Sequence, residues 1–159
     1  MHVLRMWRFA LHKEGKSRVP NTATALSQLV PSRKAFTLPT RPSVFVVDDD
    51  PSIRTSMYRL LREHGFVVTL FDSASALLDH GGFDKASCIV LDINLDGESG
   101  IDLRRKLAEE GVTVPVIYIT GNDSAANRAA AIASGCVAYL TKPFSAQSLI
   151  ESVTSASAG

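Results

Sequence analysis

The stretch CIVLDINLDGESG, residues 88–100, joins a short apolar run to a turn-like segment, with Asp92 at the junction. Four apolar residues followed by an acid predict a strand that is buried along its length and ends at a polar edge. A carboxylate at such an edge is costly to desolvate unless a positive charge or hydrogen-bond donors lie beside it. We therefore expect other parts of the chain to supply partners for Asp92.

Three other apolar runs also end in polar residues. The runs, each with the residues that follow it, are 44–47 with Asp48, Asp49 and Asp50, 114–119 with Thr120, and 137–140 with Thr141 and Lys142. In an open parallel sheet, ligands bind outside the carboxyl ends of the strands, near the switch in strand order. An acid pair, a lone acid, a hydroxyl and a lysine would then meet at one site.

From residue 43 onward the chain alternates between strand-like and helix-like segments. Apolar runs of strand length occur at 44–47, 66–71, 88–91, 114–119 and 137–140. Segments with helical spacing occupy 51–64, a stretch from residue 73, about 100–110, about 124–134, and a stretch from about 145. This alternation predicts an α/β fold, a doubly wound five-stranded parallel sheet with helices on both faces.

The converging acids predict a metal site. Asp48, Asp49 and Asp92 would repel one another and be partly protonated without a counter-ion. A hard divalent cation, Mg²⁺ above all, prefers oxygen ligands and keeps several waters. With the cation and Lys142 neutralising an incoming phosphoryl group, Asp92 could act as a nucleophile and form an aspartyl phosphate. We interpret Asp50, which precedes Pro51, as an N-cap or a solvated acid and not as a ligand.

Taken together, these motifs resemble the receiver domain of two-component response regulators. The resemblance covers residues 43–159 and rests on Asp48-Asp49, Asp92, Gly100, Thr120-Gly121 and Lys142-Pro143-Phe144. It implies a flavodoxin-like (βα)5 fold with strand order 2-1-3-4-5. It also implies that a histidine kinase or a histidine phosphotransfer protein donates the phosphoryl group. Such a protein signals by a conformational switch and is not an enzyme beyond its own phosphorylation and dephosphorylation.

The resemblance assigns a role to each residue at the reacting centre. Asp92 would be the phosphoacceptor, Lys142 would pair with the phosphoryl group, and Thr120 would hydrogen-bond one of its oxygens. The Lys142–Pro143 bond is expected to be cis.

It likewise assigns the ligands of the metal. Asp49 would bind Mg²⁺ directly, together with Asp92, and Asp48 would act through water or as the partner of Asp49. The backbone carbonyl of Asn94 would complete the protein ligands.

The resemblance also implies a readout. Tyr139 takes the position of the switch aromatic and would act with Thr120. The face formed by the fourth helix, the fifth strand and the fifth helix would then bind an output partner that the sequence does not identify. The receiver itself is expected to bind neither nucleic acid nor a membrane.

One segment departs from the family pattern. The loop after the acceptor often carries Met-Pro at its third and fourth positions, whereas this chain has Leu95-Asp96-Gly97. Asp-Gly still predicts a turn, so the fold is unaffected. The acid at Asp96 leaves open how rigid this loop is and which contacts it makes with a partner.

Other functions stay open at this point. A magnesium-dependent phosphatase of the haloacid-dehalogenase type also forms an aspartyl phosphate, but it needs a second Asp two residues after the nucleophile, where this chain has Asn94. A binding-only adaptor with a vestigial site is a further alternative, which the intact acids and lysine disfavour. We interpret the chain as a stand-alone receiver, with a fragment of a truncated DNA-binding transcriptional regulator as the runner-up.

Charge divides the chain into two parts. Residues 1–42 hold eight of the 17 Lys and Arg residues and one of the 16 acids, a net charge of +7, and the rest carries −6. Proline and Ser/Thr-rich composition predicts a basic, disordered extension or a misassigned start, with a nucleic-acid arm, a membrane-surface arm or a transit peptide as alternatives. Cys88 and Cys136 are interpreted as buried free thiols of a cytoplasmic protein.

Overall fold

The computed structural model describes residues 40–159. Residues 1–39 of the predicted extension therefore lie outside the described residues, and the disorder of the extension stays a prediction. Within residues 40–159, no helix is both long enough and apolar enough to cross a membrane.

Five parallel strands form the central sheet. They are β1 (Ser43–Val47), β2 (Val67–Phe71), β3 (Cys88–Asp92), β4 (Val116–Thr120) and β5 (Ala138–Thr141). Their order across the sheet is β2-β1-β3-β4-β5, and every neighbouring pair is parallel. The predicted fold class and the strand order 2-1-3-4-5 are confirmed. The fourth strand begins later than the apolar run 114–119 predicted, after Pro115, which has no N–H for the ladder.

Five helices connect and follow the strands. They are α1 (Pro51–Glu63), α2 (Ala74–His80), α3 (Gly100–Glu109), α4 (Ala125–Ala133) and α5 (Ala146–Ser157). Each begins after a side chain that accepts a hydrogen bond from the first turn; these caps are Asp50, Ser73, Ser99, Ser124 and Ser145. The interpretation of Asp50 as an N-cap is confirmed, since its Oδ1 accepts from the N–H of Ser52 at 2.7 Å. Such caps satisfy donors that have no partner inside the helix.

Alternate strand residues pack into two apolar layers on opposite faces of the sheet. In β1, Val44 and Val46 join the layer beneath α1 and α5. Phe45 and Val47 join the layer beneath α2, α3 and α4. Because both faces are covered, β3 and β4 are buried at every residue. On these two central strands a polar side chain can reach solvent only at a strand end, which is where Asp92 and Thr120 lie.

A short antiparallel hairpin between β3 and α3 was not predicted. Asn94–Leu95 pairs with Glu98–Ser99, and Asp96 and Gly97 form the tip. Both tip residues have positive φ, 40° and 90°, as a two-residue turn of type I′ requires. Asp-Gly is a preferred pair for this turn, but strands of two residues are too short to show a periodic pattern.

The cysteines differ from each other in burial. Cys88 is buried, as predicted, whereas Cys136 is only half-buried, so the prediction was wrong for the second thiol. Burial raises the pKa of the Cys88 thiol to about 11. Cys136 lies in the connection between α4 and β5, and its neighbours Gly135 and Val137 are exposed.

Gly100 gives a test of how tightly the loop after β3 packs. A Cβ at this position would overlap the backbone oxygen of Asp92, whereas a Cβ at Gly121 would meet nothing within 4 Å. We expect Gly100→Ala to lower the free energy of unfolding by about 3 kcal/mol or more, measured by urea denaturation. Gly121→Ala is the matched control and should change it by less than about 0.5 kcal/mol. Equal stability of the two variants would contradict this packing.

Candidate functional site

Three aspartates converge at the carboxyl ends of β1 and β3. One carboxylate oxygen from each of Asp48, Asp49 and Asp92 lies within 4.8 Å of the others. The two strands are adjacent in the sheet, so the residues that end β1 and β3 lie side by side. Among residues 40–159, Asp48, Asp92 and Thr120 are the buried polar side chains apart from cysteine and tyrosine. The burial of two carboxylates at one place needs compensation.

Lys142 provides that compensation. Its Nζ donates to Asp48 Oδ2 at 2.8 Å and to Asp92 Oδ2 at 2.7 Å, and so bridges the two buried acids. Burial lowers the pKa of Lys142, but the hydrogen bonds and charges of Asp48 and Asp92 outweigh this effect and leave the pKa above its ordinary value. The lysine is therefore held in its charged form. It follows β5, and its own N–H donates to the Thr120 carbonyl at 2.8 Å.

Backbone groups satisfy the remaining oxygens of the buried acids. Asp48 Oδ1 accepts from the Asp50 N–H at 2.8 Å, and Asp92 Oδ1 accepts from the Asn94 N–H at 2.9 Å. Burial nevertheless raises the pKa of Asp48, because the bonds from Lys142 and Asp50 offset only part of the lost hydration. A bound cation would oppose this shift by favouring the charged carboxylate.

Asp49 is the exposed member of the cluster. Its Oδ2 accepts a hydrogen bond from the Asp96 N–H at 3.2 Å. Its Oδ1 has no hydrogen-bond partner among the described residues, so one carboxylate oxygen stays available to a solvated cation. The donor set of three carboxylates beside solvent fits Mg²⁺, which favours carboxylate oxygens and retains water ligands. For Asn94 the structure gives the contact of its N–H with Asp92; the metal role of its carbonyl stays a prediction.

Thr120 lies at the predicted edge but faces its own loop. Its hydroxyl donates to the Asn122 carbonyl and accepts from the Asn122 N–H, both at 3.1 Å. The hydroxyl makes no hydrogen bond to Asp92 in this structure. Thr120 therefore closes the turn after β4, and its hydroxyl proton would have to leave the Asn122 carbonyl to reach a group on Asp92.

Tyr139 is tied to the same loop. Its hydroxyl donates to Asp123 Oδ1 at 3.1 Å, and Arg128 Nη2 donates to Asp123 Oδ2 at 2.7 Å. The Arg128 guanidinium also lies over the Tyr139 ring, 4.8 Å from its centroid. We call Asp123, Arg128 and Tyr139 the tyrosine clamp. It holds the ring in its present half-buried position through charged hydrogen bonds and a cation–π contact.

Sequence reasoning missed two parts of this region. Arg54 Nη1 donates to the Asp48 carbonyl at 2.6 Å, which adds a second positive charge next to the acids. Its position in the first turn of α1, at the carboxyl edge of the sheet, was a usable signal. No signal in the sequence pointed to Asp123, because its partners Arg128 and Tyr139 lie on other elements. The Lys142–Pro143 bond is cis, as expected.

The arrangement suits the transfer of a negatively charged group to the Asp92 carboxylate. The carboxylate is oriented by Asn94 and Lys142, and acids for a divalent cation lie beside it. Among residues 40–159, no histidine is hydrogen-bonded to Asp92, so this part of the chain offers no evident general base. Phosphoryl transfer needs little proton transfer and depends on positioning and charge stabilisation.

Comparison with known proteins agrees with this geometry. The family model for the response regulator receiver domain matches residues 44–154. Nodulation protein W of Bradyrhizobium diazoefficiens is 40% identical over 117 residues, which are 74% of this chain and 52% of that protein. The transcriptional regulatory protein FixJ of the same organism is 34% identical over 117 residues, 74% of this chain and 57% of that protein. The chain thus spans about half the length of these curated relatives.

A solved structure gives the same result. A response regulator receiver protein from Burkholderia phymatum is 38% identical, with a TM-score of 0.66, and the match covers 74% of this chain and 96% of that one. Both the sequence and the fold therefore place residues 44–154 among receiver domains.

The lysine bridge predicts a specific loss of stability. Lys142→Met should lower the free energy of unfolding by about 3 kcal/mol in metal-free buffer, because it leaves two buried carboxylates without a positive partner. Adding Asp92→Asn to this variant should recover part of the loss, since one of the charges is then removed. Urea denaturation of the single and double variants measures the coupling. Unchanged stability in Lys142→Met would show that the bridge does not hold the site together.

Proposed function

Because this chain belongs to the response regulator receiver family, we propose that it accepts a phosphoryl group on Asp92 with Mg²⁺ bound and signals by a conformational switch. The phosphoryl donor is a histidine kinase or a histidine phosphotransfer protein. One observation carries the proposal: Lys142 Nζ lies 2.7 Å from Asp92 Oδ2, within a cluster of three acids whose donor set fits a divalent cation.

Each residue of the site has its own role in the phosphoryl transfer. A carboxylate oxygen of Asp92 attacks the phosphorus atom, the new O–P bond forms, and the N–P bond to the donor histidine breaks, so that the electron pair stays on the imidazole. Lys142 remains beside the acceptor and offsets its added charge. Asp49, Asp92, the Asn94 carbonyl and, directly or through water, Asp48 would hold Mg²⁺. When bound, the cation neutralises phosphoryl oxygens and so lowers the repulsion between the group and the acids.

An apolar cleft next to Lys142 suits the donor protein. It has a volume of about 240 Å³ and lies between α1 and the start of α5; its lining includes Ile53, Met57, Leu60, Pro143 and Phe144. An amphipathic helix of a kinase or phosphotransfer protein can lay its apolar side in such a groove. Its phosphohistidine would then approach the acids from the α1 side of the sheet edge.

The receiver catalyses only its own phosphorylation and dephosphorylation in this proposal. A phosphatase of the haloacid-dehalogenase type would need an acid where the chain has Asn94, whose amide cannot transfer a proton. We place the receiver domain at residues 43–159, the extension at residues 1–42, and the protein in the cytoplasm.

A second candidate function is that of the receiver part of a DNA-binding transcriptional regulator. It is favoured by two relatives named as transcriptional regulatory proteins, FixJ and, from Thauera aromatica, TdiR, which is 35% identical over 114 residues. In that case the output partner would be a further domain in place of a separate protein. Either way the receiver itself would not contact nucleic acid.

Phosphorylation is the direct test. With Mg²⁺ and acetyl phosphate, the protein should gain one phosphoryl group, detected by intact mass and removed by hydroxylamine, as expected of an acyl phosphate. Asp92→Asn should abolish the gain because an amide is not a nucleophile for this reaction. Asp49→Ala should reduce it strongly through loss of metal binding. A phosphoryl group that still appears on Asp92→Asn would contradict the assignment.

The readout that we propose passes through the loop after β4. A phosphoryl dianion on Asp92 competes with Asn122 for the Thr120 hydroxyl, because hydrogen bonds to charged oxygens are the stronger ones. When the Thr120 hydroxyl donates to the phosphoryl group, it no longer donates to the Asn122 carbonyl. The loop is then closed less tightly, and Asp123 can leave the tyrosine clamp. Tyr139 is then able to rotate inward.

This rotation would change the face formed by α4, β5 and α5. Ile132 and Val137 lie exposed at its edge, with 66% and 47% of their surface accessible, and offer apolar contact to a partner. Two states that differ by a few kcal/mol are enough for phosphorylation to bias partner binding through this face.

Three variants test the coupling. Thr120→Ala and Tyr139→Ala should keep phosphorylation at Asp92 but weaken the changes in amide NMR shifts that phosphorylation causes on α4. Asp123→Ala removes the acceptor in the tyrosine clamp, so part of those shifts should appear without phosphorylation. Asp102→Ala, which breaks the exposed ion pair with Arg105 on α3, is the matched control and should leave α4 unchanged. A wild-type response in Thr120→Ala and Tyr139→Ala would exclude this route.

A further inference from the structure

The tip of the hairpin contacts a residue of the acidic cluster. Asp96 N–H donates to Asp49 Oδ2 at 3.2 Å across 47 positions of sequence. The family often has proline at this place in the loop, and proline has no N–H to donate. This chain can form the bond because it has Asp96 where the family often has proline.

The hairpin holds this N–H in place. Leu95, next to Asp96, is buried in the core, and the pairing of Asn94–Leu95 with Glu98–Ser99 fixes both sides of the tip. After the hairpin, the Gly100 N–H donates to the Ile93 carbonyl at 2.8 Å. The φ values of 40° and 90° at the tip complete a tight turn. The donor is thus anchored on both sides.

Asp49 needs such an anchor more than its neighbours do. Asp48 and Asp92 are oriented by burial and by Lys142, whereas Asp49 is exposed, and its other oxygen has no partner among residues 40–159. A free carboxylate in this position would sample several rotamers and would lose that freedom on binding a cation. The Asp96 N–H removes part of this cost in advance.

We propose that the backbone N–H of Asp96 is a positioning group for the metal site, which holds Asp49 Oδ2 and leaves Oδ1 to the cation. The inference rests on the proposed function, since it concerns how Mg²⁺ is bound. The carboxylate of Asp96 is not a member of the cluster of three acids. Its charge acts only at longer range, so the N–H and the side chain can be separated by mutation.

Three substitutions at residue 96 make this separation. Asp96→Pro removes the N–H and should weaken Mg²⁺ binding about tenfold, the low end of the loss seen when a group that orients a metal ligand is removed. Asp96→Asn and Asp96→Gly keep the N–H and tolerate positive φ. They lose one charge and should weaken binding by less than about threefold, a screened effect of one exposed charge. Titration of Mg²⁺ followed by amide NMR shifts gives each affinity.

A second measurement needs no change in the hairpin and no metal. Proline cannot adopt the φ of Asp96, so Asp96→Pro also rearranges the tip. Hydrogen exchange of the Asp96 amide is therefore measured in metal-free wild type and in Asp49→Ala. Loss of the acceptor should speed exchange about tenfold at this amide, because an amide without a hydrogen bond exchanges without prior opening. The Gly100 amide, which is bonded to the Ile93 carbonyl, should keep its rate.

The outcomes separate the two proposals. Wild type that binds no Mg²⁺ overturns the proposed function together with this inference. Equal affinity in wild type and Asp96→Pro overturns the inference alone, as does an Asp96 amide that exchanges at the same rate in Asp49→Ala. Loss of affinity in Asp96→Asn as large as that in Asp96→Pro would assign the effect to the carboxylate, which also overturns it.

Discussion

The ammonium group of Lys142 lies between two carboxylates that are almost wholly buried, and the site depends on this bridge. Without it, the buried carboxylates of Asp48 and Asp92 would lose the charged partner that offsets their desolvation. The bridge also sets a topological condition, because the three residues follow or end β1, β3 and β5. A parallel sheet meets this condition, since it brings all carboxyl ends to one edge.

The strand β4, which lies between β3 and β5, helps to bring Lys142 to Asp92. β4 separates β3 from β5, so the lysine has to reach across the end of β4 to meet Asp92. Its N–H is bonded to the Thr120 carbonyl, which fixes the start of that reach on the last residue of β4. Thr120 consequently belongs to the site in two ways: its backbone holds the lysine, and its hydroxyl closes the turn that leads to Asp123.

Most of the fold and half of the site could be predicted because their signals are local. Strand runs, cap residues and polar strand ends depend on neighbours in sequence, and a parallel sheet then brings Asp48, Asp92 and Lys142 together. The rest could not be predicted for identifiable reasons. The bond from Asp96 to Asp49 depends on how a two-residue hairpin turns, and the tyrosine clamp joins side chains from a loop, a helix and a strand. The orientation of the Thr120 hydroxyl is a choice between two acceptors, which the sequence does not decide.

The same lysine explains why negative charge added at Asp92 would alter hydrogen bonds outside the site. One ammonium group already serves two carboxylates, so a phosphoryl group on Asp92 needs further donors from nearby hydroxyl and backbone groups. The Thr120 hydroxyl ends the neighbouring strand, and both of its hydrogen bonds go to Asn122. If it gives up the bond that it donates, Asn122, the residue directly before Asp123, is held less tightly. Because a hydroxyl has one proton to donate, its bond to the Asn122 carbonyl and a bond to a phosphoryl oxygen exclude each other, and this exclusion would link the charge at Asp92 to the loop that holds Tyr139 through Asp123.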